Sequence, residues 1–314
     1  MDRIDAMTTL VAAVDAGSLS GASRALGMPL ATVSRKVSDL EAHLRTQLVI
    51  RTSRRLTLTE AGRAYLSSAR RILEDLDEAE RAASGEYRAP RGHLNITAPI
   101  MFGRLHVEPV ALEFLEAYPD ISVRLTLADH LLNLVDDNVD LAVRVGRLPD
   151  SSMVALRMGE VGWVACASPD YLARRGEPES LEALADHDCV MFEGLYSSNV
   201  WTFGRNKQLR DISVRPRFSV NSADAAIAAA LGGAGITRVL SYQVAEPVAR
   251  GVLKIILKSF EPEPLPVHIL YAAQSLLPLK LRAFLDFAGP RLKSSLGRVQ
   301  PEPTAKTPDR RSGV

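Results

Sequence analysis

The chain has 314 residues, 46% of them apolar and 24% charged, and a net charge of +1, which is the composition of a globular protein with two or three domains. The sequence lacks an apolar run of about 18 residues, begins with acids where a signal peptide needs a basic and then apolar start, and contains only two cysteines. These features argue against a membrane span, an exported protein and a disulfide framework. We therefore expect a cytoplasmic protein whose affinity for any nucleic acid would come from a local basic patch.

The first 44 residues predict three helices. Residues 4–15 show an apolar face, and residues 17–44 predict two further helices separated by a tight turn. Gly27 suits the end of one helix, and Pro29 suits the first turn of the next. Ser18 or Ser20 is expected to cap the first of these two helices.

The helix predicted at 29–44 has two different faces. Apolar residues repeat at spacings of four, three and four at Val33, Val37, Leu40 and Leu44. The opposite face carries short hydroxyl groups and the two cations Arg35 and Lys36. A helix, a turn and a second helix of this kind form the motif that enters the DNA major groove. The candidate DNA contacts in this region are Ser20, Thr32, Ser34, Arg35 and Lys36; the alternative is an ordinary solvated polar face.

Residues 48–58 predict a small β-hairpin, or wing. Two β-prone runs flank the turn Thr52–Arg55. Arg51, Arg54 and Arg55 would project from it with few acids nearby, and phosphates are the natural partners of such a tip. The alternative is a generic charged turn.

Residues 59–88 predict a long helix. Small and apolar residues recur at alternating steps of four and three between positions 62 and 83, as in a short coiled-coil seam. The candidate dimer contacts are Leu66, Ala69, Leu73 and Leu76. The alternative is an amphipathic helix that packs on its own domain. Pro90 and Gly92 then predict a hinge at 89–92.

From residue 93 the pattern changes to alternating strands and helices. It predicts a mostly parallel sheet covered by helices, arranged as one large sheet or two small lobes. Strands are expected at 94–97, 121–127, 141–145, 161–166, 190–192, 217–220, 236–239, 253–257 and 267–271. Helices are expected at 102–118, 169–174, 222–232 and 279–292. The Pro- and Ser-rich tail at 297–314 is expected to be disordered.

The carboxyl ends of these strands are where α/β proteins bind ligands. Polar groups there could orient a small molecule and apolar groups could cover it, although each residue could equally serve packing or capping. The candidate effector contacts are Thr97, Pro99, Met101, Phe102, Val145, Asn221, Ser222, Gly235 and Thr237.

Enzymatic signatures are missing from the sequence. It contains no nucleophile elbow, no paired catalytic carboxylates, no cofactor motif and no histidine spacing typical of a metal site. Cys166 and Cys189 lie in apolar runs, so buried small side chains explain them better than a redox switch. The alternatives to a DNA-binding regulator are an enzyme and a solute-binding protein built on the α/β part.

The order of these parts resembles the LysR-type transcriptional regulators over nearly the whole chain. The phrases that carry the resemblance are Gly17–Gly27, Thr32–Val37 with Leu40-Glu41, Arg51-Thr52, Leu58–Gly62, Phe114–Pro119, Asp140–Arg144 and Gly232–Ile236.

The resemblance implies a multidomain α + α/β protein: a winged helix-turn-helix at 1–58, a dimerising linker helix at 59–88, and a two-lobed effector domain at 93–296 like a periplasmic binding protein. It also implies double-stranded DNA with a pseudo-palindromic operator and a small-molecule effector as partners, a homodimer or homotetramer, and RNA polymerase if the protein activates. Two features depart from the family pattern. Pro29-Leu30 replace a polar pair, and Arg45 replaces a glycine.

Overall fold

The computed structural model describes residues 1–51, 56–84, 89–129, 139–149, 152–193, 199–204, 208–273 and 277–299. The chain divides into two compact units, Met1–Gly92 and His93–Val314. Each is built around its own core.

The N-terminal unit begins with three helices: α1 (Arg3–Asp15), α2 (Leu19–Leu26) and α3 (Leu30–Leu44). Ser18 caps α2 by accepting a hydrogen bond from the backbone N–H of Gly21, whereas Ser20 lies inside the helix. Pro29 occupies the N-cap of α3, one position before the first turn in which the sequence placed it. Its φ of −57° is compatible with either place.

A hairpin and a long helix complete this unit. Strands β1 (Val49–Arg51) and β2 (Leu56–Leu58) pair antiparallel, as predicted for the wing. Helix α4 (Glu60–Ser84) follows directly. Gly62 is needed at its start, because a Cβ there would lie 2.0 Å from the carbonyl oxygen of Leu48.

The second unit contains most of the strands. In chain order its elements are β3 (Gly92–Ala98), α5 (Ile100–Phe102), a π-helical segment (Gly103–Val107), α6 (Glu108–Ala117), β4 (Ile121–Leu127), β5 (Leu141–Val145), β6 (Met153–Val161), β7 (Trp163–Ala167), α7 (Pro169–Arg175), a 3₁₀ segment (Glu182–Asp186), β8 (Cys189–Phe192), β9 (Val200–Phe203), β10 (Arg210–Ser213), β11 (Pro216–Val220), α8 (Ala223–Leu231), β12 (Ile236–Leu240), a 3₁₀ turn (Ser241–Gln243), α9 (Ala245–Ala249), β13 (Lys254–Ile256), a 3₁₀ turn (Lys258–Phe260), β14 (Leu265–Ala272) and α10 (Leu279–Val299).

Ten of these strands form two five-stranded sheets, one for each lobe, and β9 and β10 form a separate two-stranded sheet. The strand orders are β4-β3-β5-β14-β6 in the first lobe and β11-β8-β12-β7-β13 in the second. The chain passes between the lobes twice, at Gly162 between β6 and β7, and between β13 and β14. The backbones of Gly162 and Ser241 are joined there by a 2.8 Å hydrogen bond.

The expectation of mostly parallel sheets was wrong. The pairs β3–β5, β8–β11 and β8–β12 are parallel, but β7, β13 and β14 pair antiparallel with their neighbours. The reason is the double passage between lobes: a strand that enters a sheet directly from the other lobe has no crossover helix to make it parallel.

Several boundaries also differ from expectation. The strand expected at 161–166 is two strands, β6 and β7, which belong to different sheets. The β9–β10 hairpin was not predicted. Helix α10 extends to Val299, so residues 297–299 of the expected disordered tail are helical, and the remainder lies outside the described residues.

Candidate nucleic-acid interface and effector domain

The two faces predicted for α3 have opposite environments in the structure. Val33, Val37 and Leu40 are fully buried, the last two in a core shared with α1, the wing and α4. Arg35 lies on the opposite side and is exposed. The helix is therefore fixed by its apolar stripe and offers a cation to solvent.

The turn before α3 is tightly held. Gly27 ends α2 in the left-handed conformation with φ of 62°, and the Ser23 hydroxyl donates a 2.6 Å hydrogen bond to the Met28 carbonyl. Pro29 provides no side-chain cap. Leu30, the first residue of α3, is 49% exposed.

Lys36 has a partner inside the unit. Its Nζ atom lies 2.7 Å from the Asp5 carboxylate on α1 and 3.1 Å from the Met28 sulfur, and its side chain is 22% exposed. The helix face predicted to carry two cations thus offers one, Arg35, with Thr32 and Ser34 half-buried beside it. Ser20 is exposed on α2.

Of the three arginines predicted to contact DNA from the wing, the structure describes the backbone of one. The backbone of Arg51 forms the end of β1, opposite Leu56. Arg54 and Arg55 lie outside the described residues.

The departure at Arg45 leaves the turn after α3 intact. Arg45 adopts the left-handed conformation, with φ of 52°, and its N–H bonds to the carbonyl of Ala42. The position thus keeps the geometry that favours glycine, with a side chain in place.

The predicted seam of α4 divides into two halves. Leu66 and Ala69 are buried against their own unit, at 9% and 1% exposure, so their assignment as dimer contacts is corrected. The own-domain alternative is right for this half because α1 lies against α4. Farther along, Leu73 is half-buried, and Ile72 and Leu76 are 41% and 37% exposed.

The effector candidates of the first lobe are mostly internal. Thr97 is fully buried, and its hydroxyl has no hydrogen-bond partner in the described part of the chain. Met101 and Phe102 belong to the hydrophobic core, and their role in covering a ligand stays a prediction. Pro99 and Val145 are half-buried near the strand ends.

The second lobe holds the remaining candidates. Thr237 is fully buried, and its hydroxyl donates a 3.1 Å hydrogen bond to the Val190 carbonyl. Ser222 caps α8, and a Cβ at Gly235 would lie 2.3 Å from the Asp188 carbonyl oxygen. Asn221 is exposed.

The contacts between the two lobes were not predicted from the sequence. Arg104 and Asp224 form a 2.7 Å ion pair from one lobe to the other. Phe102 and His106 both pack edge-on or tilted against aromatic rings, with Tyr242 of the second lobe 5.3 Å from Phe102 and 5.5 Å from His106. Partners more than 100 residues apart leave no periodic signal in the sequence.

His106 lies in the π-helical segment at this junction. Its Nδ1 atom is 2.7 Å from the Ser295 hydroxyl. Burial lowers the pKa of the imidazole below its ordinary value, because the charged form would lose its hydration. The same effect raises the pKa of the neighbouring Tyr242 hydroxyl.

Both cysteines are inert by the same physical reasoning. Cys166 and Cys189 are fully buried and unbridged, and burial raises the pKa of each thiol to about 12. Thiolate is the reactive form, so neither is suited to a redox role.

The part of the chain that the structure describes has no cluster of three or more His, Cys, Asp or Glu side chains that could bind a metal ion. None of its helices is both long and apolar enough for a membrane span.

Comparison with known proteins identifies the family. Residues 4–63 match the bacterial regulatory helix-turn-helix protein of the lysR family, and residues 88–293 match the LysR substrate binding domain. The chain belongs to the LysR family.

Individual relatives of this LysR-family protein span the same length. An HTH-type transcriptional repressor from Pseudomonas aeruginosa is 35% identical over 298 residues, covering 91% of each chain. The regulator CrgA from Neisseria meningitidis is 32% identical over 291 residues, covering 92% of this chain and 97% of CrgA. The solved structure of CrgA has a TM-score of 0.59 and 33% identity over 92% of this chain and 98% of that one. The Vibrio cholerae virulence activator AphB has a TM-score of 0.58 and 29% identity, covering 91% and 98%.

These matches are to regulators and not to enzymes. The protein is a DNA-binding transcriptional regulator with a winged helix-turn-helix unit and a two-lobed effector-binding unit, as predicted.

Proposed function

We propose that the protein acts as a homodimer, or as a tetramer of two dimers, that places two copies of α3 on a pseudo-palindromic operator. The observation that carries this proposal is the division of α3 into a buried apolar stripe and an opposite face with the exposed Arg35. An arginine side chain presented in this way can bind a guanine through two hydrogen bonds.

The proposed base and phosphate contacts are Arg35 first, then Thr32, Ser34 and Ser20, with the wing arginines Arg51, Arg54 and Arg55 on the phosphate backbone or minor groove. Lys36 becomes a secondary candidate, since Asp5 already neutralises it.

The proposed dimer contact is the outer half of α4. Leu73 and Leu76 remain accessible there, and the exposed Ile72 extends the apolar surface. A single helix-turn-helix makes few base contacts, and pairing two copies at a fixed spacing gives the discrimination an operator needs.

For the effector site we propose the strand ends of both lobes, with Thr97, Pro99 and Val145 on one side and Asn221, Ser222 and Gly235 on the other. The buried, unpaired hydroxyl of Thr97 supports this placement, because such a group is normally satisfied by a partner. Effector binding would change the spacing of the two reading helices, and an activator would in addition contact RNA polymerase.

A footprint on DNA fragments from upstream of the protein's own gene and of the neighbouring genes tests the proposal. We expect two protected half-sites separated by about one helical turn or a multiple of it, and an affinity that falls steeply as salt rises. Absence of salt-sensitive binding to every such fragment would contradict it.

A further inference from the structure

The reading helix begins with an exposed apolar group. Leu30 is 49% exposed. The structure describes all of residues 19–44, and within this range Leu30 is the one large apolar side chain that is exposed to solvent. Ala31 beside it is exposed as well. The N-terminal end of α3 therefore carries apolar surface.

The exposure of Leu30 follows from its position. Helical side chains lean toward the N-terminus, so the side chain of a first residue extends past the end of the helix. The buried stripe of α3 starts only at Val33. Neighbouring contacts hold the turn in place, since Met28 binds both Ser23 and Lys36. Leu30 is thus presented on a rigid support.

We propose that Leu30 is a specificity-determining residue that recognises the 5-methyl group of a thymine in each half-site. This inference rests on the proposed function of α3 as the DNA-reading helix. The N-terminal residues of such a helix contact base edges in the major groove. Thymine is the base that presents an apolar group there, and a leucine side chain has no donor or acceptor with which to form a hydrogen bond to any base edge.

The position of Arg35 relative to Leu30 suggests a distance between the two bases that they contact. Leu30 and Arg35 are separated along the helix axis by about 7.5 Å, from the rise of about 1.5 Å per residue. Successive base pairs are about 3.4 Å apart. With the axis of α3 lying along the groove, the thymine contacted by Leu30 would be roughly two base pairs from the guanine contacted by Arg35.

The test removes single methyl groups from the operator. Each dT of one half-site is replaced in turn by dU, which lacks only the 5-methyl group, and affinity for the full-length protein is measured at fixed salt. We expect one position at which dU weakens binding about fourfold, the effect of one buried methyl-sized group. In the L30A variant that position should no longer distinguish dT from dU.

The matched control is L112A, which truncates a leucine that is 57% exposed on α6. It should keep the wild-type response to dU. If no dT-to-dU change affects wild-type binding, or if L30A keeps the response, the inference is overturned while the proposed function stands. If the wild-type protein binds no operator at all, the proposed function itself fails.

Discussion

The Nζ atom of Lys36 lies 2.7 Å from the Asp5 carboxylate, so an ion pair joins the reading helix α3 to α1. The pair is partly exposed, with 22% of the Lys36 side chain and 42% of the Asp5 side chain accessible. The lysine thus helps to orient α3, and Arg35 is left as the free cation on the exposed face of that helix's first half.

This pairing predicts different effects for the two neighbouring cations. K36Q should lower the free energy of unfolding by about 0.5 kcal/mol, as expected for a partly exposed ion pair, and should weaken operator binding less than R35A does. Urea unfolding and fluorescence anisotropy measure the two quantities. D5N should reproduce the stability change. An affinity loss for K36Q as large as that for R35A would contradict this assignment.

Replacing Arg45 with glycine is expected to raise the stability of the N-terminal unit. Its left-handed backbone is unfavourable for a residue with a Cβ, so R45G should stabilise the N-terminal unit by up to about 1 kcal/mol. The matched reverse change is G27A, where φ is 62° and a Cβ would meet no atom within 4 Å. In thermal unfolding, the melting temperature should rise for R45G and fall for G27A. A lower melting temperature for R45G would show that its side chain makes a contact worth more than the strain.

The two halves of α4 should respond differently to substitution. L66A should destabilise the N-terminal unit by about 2 kcal/mol or more, because it leaves a cavity in the core. L73E and L76E should instead shift the protein from dimer toward monomer in sedimentation, because each would bury a charge at the proposed interface. A64E adds the same charge at an exposed position elsewhere on the helix and should leave the dimer intact. A dimer that survives both L73E and L76E would refute the assignment.

The burial of His106 leads us to expect that acidic pH lowers the free energy of unfolding of the effector unit. Its pKa in the folded state lies below the ordinary value of 6.5, so the unfolded chain binds the proton more readily. The stability contribution is full above pH 6.5 and is lost as the pH falls through that value toward the folded-state pKa. His187 and His268, whose pKa values burial also lowers, act in the same direction.

The melting temperature of the effector unit should therefore fall between pH 7.5 and pH 5.5, and H106F should reduce that fall. The aromatic replacement preserves packing against Phe102 and Tyr242. H43Q, on α3 of the other unit, is the control. An unchanged pH dependence in H106F would assign the effect to other groups.

Local patterns in the sequence predicted local structure well. The strands predicted at 121–127 and 141–145 have the same boundaries as β4 and β5, and the stripe from Val33 to Leu40 is the buried face of α3. The alternation in β4 and the stripe in α3 are each set by which side of one element faces a core.

Features that depend on distant partners could not be predicted. The periodicity of α4 shows an apolar seam but not what covers it. The sequence therefore could not show whether Leu66 packs against a partner subunit or against α1 of its own chain. Lys36 looks like a free cation until Asp5 is placed beside it, 31 residues earlier. Thr237 at a strand end suggests a ligand group, but its hydroxyl is already bonded to Val190.

The most direct test of the account compares R35A with the wild-type protein on two duplexes, the operator and a scrambled sequence of equal length, at the same salt concentration. We expect the ratio of the two affinities to fall about tenfold or more, within the 1–3 kcal/mol of discrimination typical of an arginine–guanine contact, while binding to the scrambled duplex changes little. An equal loss on both duplexes, or unchanged affinity for the operator, would contradict the claim that α3 reads bases through Arg35.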